Sequence, residues 1–244
     1  MLFLLLHQKA TAKITASSSA SSSQARWVRT RLAASVGDYA TGSRLPPERD
    51  LAKQLGVSRP SVREAVIALE VEGLVDVRIG SGIYVRPCDD AQAAPPAEGE
   101  AGPFELLRAR RLIESECAAL AAKSATRAQL QAMEAALNDM EREMADGIHP
   151  LPGDRLFHLR IAEATGNGAL VHVVRMLWDE RAGPLYKQLE HHYDSPELWQ
   201  AAMAEHRVVL KAIAAHDARS ARAAMRRHLN QAYKRFSTGW DMLH

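Results

Sequence analysis

Cysteine is nearly absent: Cys88 and Cys117 are the only two in 244 residues. They make no metal-motif spacing and imply no disulfide framework, which fits a reduced, cytoplasmic compartment. No run of eighteen apolar residues occurs although 47% of the chain is hydrophobic, so no membrane span is expected, and the length suffices for two domains with their own cores. A strong charge of one sign is missing too, the net charge being +2. The distribution says more: between Gln24 and Arg86, ten basic residues face seven acidic ones, a local excess that suits a nucleic-acid partner.

Residues 1–24 open with LFLLL and continue into ITASSSASSSQ. Without a basic leader or a longer apolar core this is no signal peptide, and we expect a disordered tail or residues read from a start codon upstream of the natural one. A first helix follows from about Arg26 to Val36, with Trp27, Leu32 and Val36 as its apolar residues. The most informative stretch is LPPERDLAKQLGVSRPSVRE, residues 45–64. It reads as a short amphipathic helix, a tight turn at Gly56 and a second helix capped by Ser58. Val62, Ala65, Val66 and Leu69 form an apolar stripe on that helix, while Arg59 and Arg63 are expected on its exposed side. Their planar forks suit guanine edges or phosphate; taken alone, they also fit two surface arginines on an ordinary helical hairpin. Residues 74–86, LVDVRIGSGIYVR, alternate as two strands around Gly80-Ser81-Gly82.

The segments LPPERDLA, GVSRPSVREA, LEVEGLV and GSGIYV together resemble the GntR family of bacterial transcription regulators. The resemblance implies a winged helix-turn-helix over residues 25–87, with Arg49, Ser58, Arg59, Ser61 and Arg63 contacting double-stranded DNA and Gly80 letting the wing approach closely. A homodimer reading a pseudo-palindromic operator follows from the symmetry of such readers.

After Pro87 the composition shifts to CDDAQAAPPAEGEAGP, expected as a linker over residues 88–103. Beyond it no strand is evident. Periodic segments predict helices over 104–123, 127–146, 153–165, 168–191, 196–215 and 217–237, the fourth kinked at Gly183-Pro184. The fold class is therefore mainly α: a winged helix-turn-helix followed, over residues 104–240, by an antiparallel all-α bundle of about six helices. Asp154 and His158 share a helix face at i, i+4, and His206 and His228 lie on the apolar stripes of the last two helices. Three imidazoles and a carboxylate converging inside a bundle suit zinc, nickel or manganese better than calcium; alternatively, each histidine is satisfied separately as a core or surface residue.

The segments LRARRLIESECAALAA, DRLFHLRIAEATGN, EHRVVLKAIAAHDARSA and MRRHL look like the FCD effector domain of the FadR-like GntR branch. That resemblance implies a metal bound by Asp154, His158, His206 and His228, zinc foremost. It also implies a cavity for a small organic acid, with Arg110 at the family's arginine position; Arg110 could equally pair with Glu114, four residues on. Residues 176–195, with Trp178, Arg181 and Pro184, loosely resemble regulators of hexuronate catabolism, so a hexuronate or related sugar acid is the expected effector and repression the expected mode. Two alternatives stay open: a regulator of lactate-like or dicarboxylic acids, and a metal-dependent hydrolase of a small acid or lactone, the latter lacking an obvious general base.

Overall fold

The computed structural model describes residues 20–87 and 101–238. The expectations for residues 1–19, for linker residues 88–100 and for the last six residues lie outside them. The chain divides into two compact units between Glu105 and Leu106.

In the first unit, helix α1 spans Ala20–Val36, so residues 20–24, expected in the tail, are helical. Val28, Leu32 and Val36 are buried at four-residue spacing. Trp27, counted among the apolar residues of that helix, is 48% exposed, because the stripe starts one residue later and one position turns a side chain about 100° around the axis. Helix α2 (Glu48–Leu55) starts directly after Pro47 and ends where Gly56 adopts a left-handed φ of 66°, a conformation that glycine takes without penalty. The Ser58 hydroxyl accepts the Ser61 amide and opens helix α3 (Arg59–Val71). Val62, Ala65, Val66 and Leu69 are buried as expected. Strand β1 (Val75–Arg78) pairs antiparallel with β2 (Gly82–Val85), Val75 opposite Val85 and Arg78 opposite Gly82. This wing is anchored on α3 where Glu70 accepts the Val77 amide at 2.9 Å.

The second unit contains no strand among the described residues. Its α-helices are α4 (Pro103–Ser124, whose first residues belong to the first unit), α5 (Arg127–Ala145), α6 (Leu151–Glu163), α7 (Gly168–Asp179), α8 (Pro184–Tyr193), α9 (Pro196–Ala214) and α10 (Ala218–Thr238). The expected fourth helix is therefore two, separated by a 3-10 turn at Glu180–Ala182. Gly183 is extended (φ −65°, ψ 157°), and Pro184 has no amide to carry the ladder through, so the kink becomes a break. The other boundaries follow local chemistry. Thr126 and Gln129 form a reciprocal capping box, Asn167 accepts the Ala169 and Leu170 amides, and Ser195 accepts the Leu198 amide.

Helix α5 packs on α6 and α9, α6 on α7, and α9 on α10. The α5–α6 approach is close enough that a Cβ on Gly153 would lie 2.8 Å from the Met140 backbone nitrogen. Met133, Leu137, Phe157, Ile161, Val209 and Met225 are essentially inaccessible; truncating one of the larger of them costs about 2–5 kcal/mol. No described helix is long and apolar enough to cross a membrane.

Candidate functional site

On the first unit, Arg49 projects from α2 with 71% of its side chain exposed, its Nε 3.6 Å from Asp50. Ser58 is exposed at the start of α3, Arg59 is part-exposed, and Gly80 is exposed at the wing tip with φ 73°. Two expected contact residues are placed differently. Ser61 is buried, its hydroxyl 2.8 Å from that of Ser58. Arg63 is 1% exposed and donates to Glu48 at 2.5 Å. The expectation that Arg59 and Arg63 share an exposed side is thus corrected: Glu48, buried in the first turn of α2, draws the Arg63 guanidinium inward, because a buried carboxylate needs a charged partner. Arg59 also reaches toward Glu48, at 3.7 Å. The wing carries a group that spacing did not reveal: Arg78 lies 4.6 Å over the Tyr84 ring and 2.8 Å from Asp76.

In the second unit the structure brings all four expected metal-binding residues together. Helix α6 supplies Asp154 and His158, α9 His206 and α10 His228, and all are buried. The Nε2 atom of His206 lies 3.2 Å from that of His158 and 3.1 Å from that of His228. Asp154 Oδ1 is 3.5 Å from His158 Nε2 and 3.4 Å from His206 Nε2, and has no hydrogen-bond partner. An ion about 2.1 Å from each donor sets neighbouring donors about 3.0–3.4 Å apart at the edges of an octahedron or tetrahedron. The donor spacing fits such an ion.

Two of the imidazoles are held in the orientation this requires. His158 Nδ1 is hydrogen-bonded to Glu114, and His228 Nδ1 to Glu205 at 2.8 Å. Each carboxylate accepts the Nδ1 proton and leaves the Nε2 lone pair facing the cluster. Each is backed by an arginine: Arg110 donates to Glu114 at 2.6 Å, and Arg235 to Glu205 at 2.8 and 3.1 Å. Arg235 follows His228 by seven residues, roughly two turns, so helical spacing was an available signal for it, whereas Glu205, next to His206, meets His228 on another helix and had none. His206 Nδ1 has no partner.

Burial dominates the electrostatics. It disfavours a charged Glu114, yet Arg110 and His158 outweigh it and hold the carboxyl at about 2. It likewise opposes ionisation of Asp154, which His158, His206 and Arg181 nevertheless keep well below the usual carboxylate range. Burial, reinforced by His228, pushes His206 well below the usual imidazole range, and burial lowers His228 against the pull of Glu205. His206 and His228 are thereby kept neutral, the form that binds a cation. His158 is shifted upward, because Glu114 and Asp154 overcome its burial.

Beside the cluster lies a cavity of ≈ 40 Å³ whose walls include Arg110, Asp154, Arg181, Tyr186, Glu190, Trp199, His228 and Arg235. Arg110 is thus both a wall of the cavity and the buried partner of Glu114. Its guanidinium lies 4.0 Å over the Trp178 ring, and that of Arg181 4.4 Å over the same ring. His191 and His192, neighbours of Glu190 on α8, are not among the residues lining the cavity. His149 instead pairs with Asp194 at 2.7 Å.

Comparison with known proteins identifies the family. Residues 28–85 match the model of the bacterial regulatory proteins of the gntR family, and residues 105–231 match the FCD domain. The chain belongs to the GntR family of transcription regulators, with an FCD domain as its second half. It is 44% identical to the Uxu operon transcriptional regulator of Escherichia coli over 81% of this chain and 79% of that protein. It is 40% identical to the Exu regulon transcriptional regulator of E. coli over 79% of this chain and 76% of that one. To the HTH-type transcriptional regulator LutR of Bacillus subtilis it is 31% identical over 79% of this chain and 91% of that one. The family is one of regulators, not enzymes, which sets aside the hydrolase alternative. In this GntR chain the first unit is the DNA reader and the FCD unit carries the histidine cluster.

Proposed function

We propose that this GntR regulator is a cytoplasmic, homodimeric repressor that senses a hexuronate or related sugar acid through a divalent ion, zinc foremost, held by Asp154, His158, His206 and His228. The observation that carries the reading is the convergence of three buried Nε2 atoms beside a cavity walled by Arg110, Arg181 and Arg235. A divalent ion supplies a Lewis-acidic anchor for carboxylate and hydroxyl oxygens. The chain supplies the rest: Glu114 and Glu205 orient the imidazoles, and the arginines give the cavity its preference for anions. The similarity to the Uxu and Exu regulators supports a hexuronate.

On the reader, Arg49, Ser58, Arg59 and the Gly80 tip face a pseudo-palindromic operator, one half-site per protomer. Ser61 and Arg63, expected among the contacts, are buried and shape α3 beneath that surface. To act as a switch the acid must favour one arrangement of the paired readers, since equal binding to both would shift nothing. One observation favours a smaller, lactate-like acid: the cavity measures only ≈ 40 Å³ as it stands. Thermal-shift screening of metal-loaded protein with galacturonate, glucuronate, lactate and dicarboxylates, followed by operator binding with each hit, separates the readings. Hexuronates are expected to raise the melting temperature and weaken operator binding. Hits confined to lactate or dicarboxylates would replace the hexuronate, and no hit at all would remove the sensing role.

A further inference from the structure

Arg181 is the one cavity arginine that joins the candidate metal centre to α8. It sits in the 3-10 turn between α7 and α8 and is 6% exposed. Its Nη1 donates to Asp154 at 3.3 Å, its Nη2 to Glu190 of α8 at 2.5 Å, and its buried Nε has no partner. Trp178 and Tyr186 flank the guanidinium at 4.4 and 4.8 Å. One carboxylate partner is therefore a proposed metal ligand, and the other is carried on a separate short helix. That helix is bounded by extended residues on both sides, Gly183 before Pro184 and Asp194-Ser195 before Pro196. A rotation about those two joints moves Glu190 without unwinding the helix.

We propose that Arg181 is the second anion anchor for the effector, and that Glu190 is a tethered carboxylate occupying this anchor until the effector's own carboxylate displaces it. The proposal rests on the sugar-acid reading and deepens it. At ≈ 40 Å³, well under the roughly 150 Å³ of a cavity that takes benzene, the cavity admits a sugar acid only when a wall withdraws, and α8 carries two of its lining residues, Tyr186 and Glu190. Withdrawing Glu190 alone would leave the buried Arg181 with Asp154 as its remaining carboxylate contact, at the longer distance of 3.3 Å, which is unfavourable. Exchanging one carboxylate for another leaves Arg181 paired throughout. A neutral sugar of the same size cannot make that exchange, so the anchor selects acids over neutral sugars by charge rather than by shape.

The test is Glu190→Gln, nearly the same shape without the charge, titrated calorimetrically in zinc-loaded full-length dimer with galacturonate, glucuronate and galactose. The variant is expected to bind the hexuronates about tenfold more tightly than the wild type, because the internal competitor is gone, and galactose is expected to bind neither protein. Hydrogen exchange supplies a second reading: amides of α8 should exchange faster in the unliganded variant and regain protection when the acid is added. Wild-type binding that Glu190→Gln leaves unchanged or weakens overturns the proposal alone. Galactose binding as tightly as the acids overturns the charge selection. If neither protein binds any acid, the sugar-acid reading fails and this anchor with it.

Discussion

Replacing Arg63 by alanine tests whether this residue belongs to the DNA surface or to the scaffold beneath it. Its guanidinium and the Glu48 carboxylate are 1% and 3% exposed and 2.5 Å apart. Removing one member of such a pair leaves a buried charge without its main partner, at a cost of about 3–5 kcal/mol. A reader of this size has a total stability of the same order. Arg63→Ala should therefore lower the hydrogen-exchange protection of the slowest α2 and α3 amides by about a hundred- to a few thousand-fold, at about 1.4 kcal/mol per decade. The FCD core amides should be unaffected. Replacing both members, Glu48→Leu with Arg63→Met, removes the stranded charge and should recover most of the loss, since a well-packed apolar pair is often no worse than a buried ion pair. Protection in Arg63→Ala within about threefold of wild type would refute the reasoning and return Arg63 to the exposed face. A double variant that folds yet has lost the operator would show that Arg63 also contacts DNA.

Arg59→Ala, by contrast, should leave the reader folded and cost about 1–3 kcal/mol of operator affinity, measured by fluorescence anisotropy. If Arg59 reads a base, the loss is confined to the cognate sequence; if it holds phosphate, all sequences weaken alike. Glu205→Gln should weaken zinc binding by about 10–100-fold in a chelator competition, because the amide holds the His228 Nδ1 proton less well than the carboxylate; unchanged affinity would leave Glu205 as a mere partner of Arg235. Glu114, depressed to about 2 from 4.5, contributes stability that is fully present above about pH 4.5 and lost as pH falls toward 2. The contribution is about 3 kcal/mol. Urea titrations with chelator present should show a steeper acid loss in wild type than in Glu114→Gln, and parallel curves would contradict the assignment.

Much of this molecule is set within a few residues of each position. Gly56, Ser58, Thr126, Asn167 and Ser195 end or start helices using groups one to five residues away, and such chemistry is legible in any window of sequence. The Asp154–His158 pair is legible for the same reason, one helical turn placing both on one face. The positions of His206 and His228 on apolar stripes, with the family pattern, carried the rest of the cluster.

Other features were decided by partners far apart in the chain. Arg63 and Arg59 look alike along α3, yet Arg63 is buried against Glu48, fifteen residues before it, while Arg59 stays part-exposed 3.7 Å from the same carboxylate. Glu114 meets His158 across 44 residues, and Glu205 meets His228 across 23. No periodicity marks a carboxylate as the backing of an imidazole on another helix. Trp27 shows the same limit: it is apolar like Leu32 and Val36, but the packing of α1 gave the buried place to Val28. Local propensity and capping, which act over one turn, were thus written in the sequence. The charge states favoured in the cluster, the Arg181–Glu190 pair beside it and the burial of Arg63 arise only when distant charges are brought together in a medium of low dielectric constant, where a missing partner is costly.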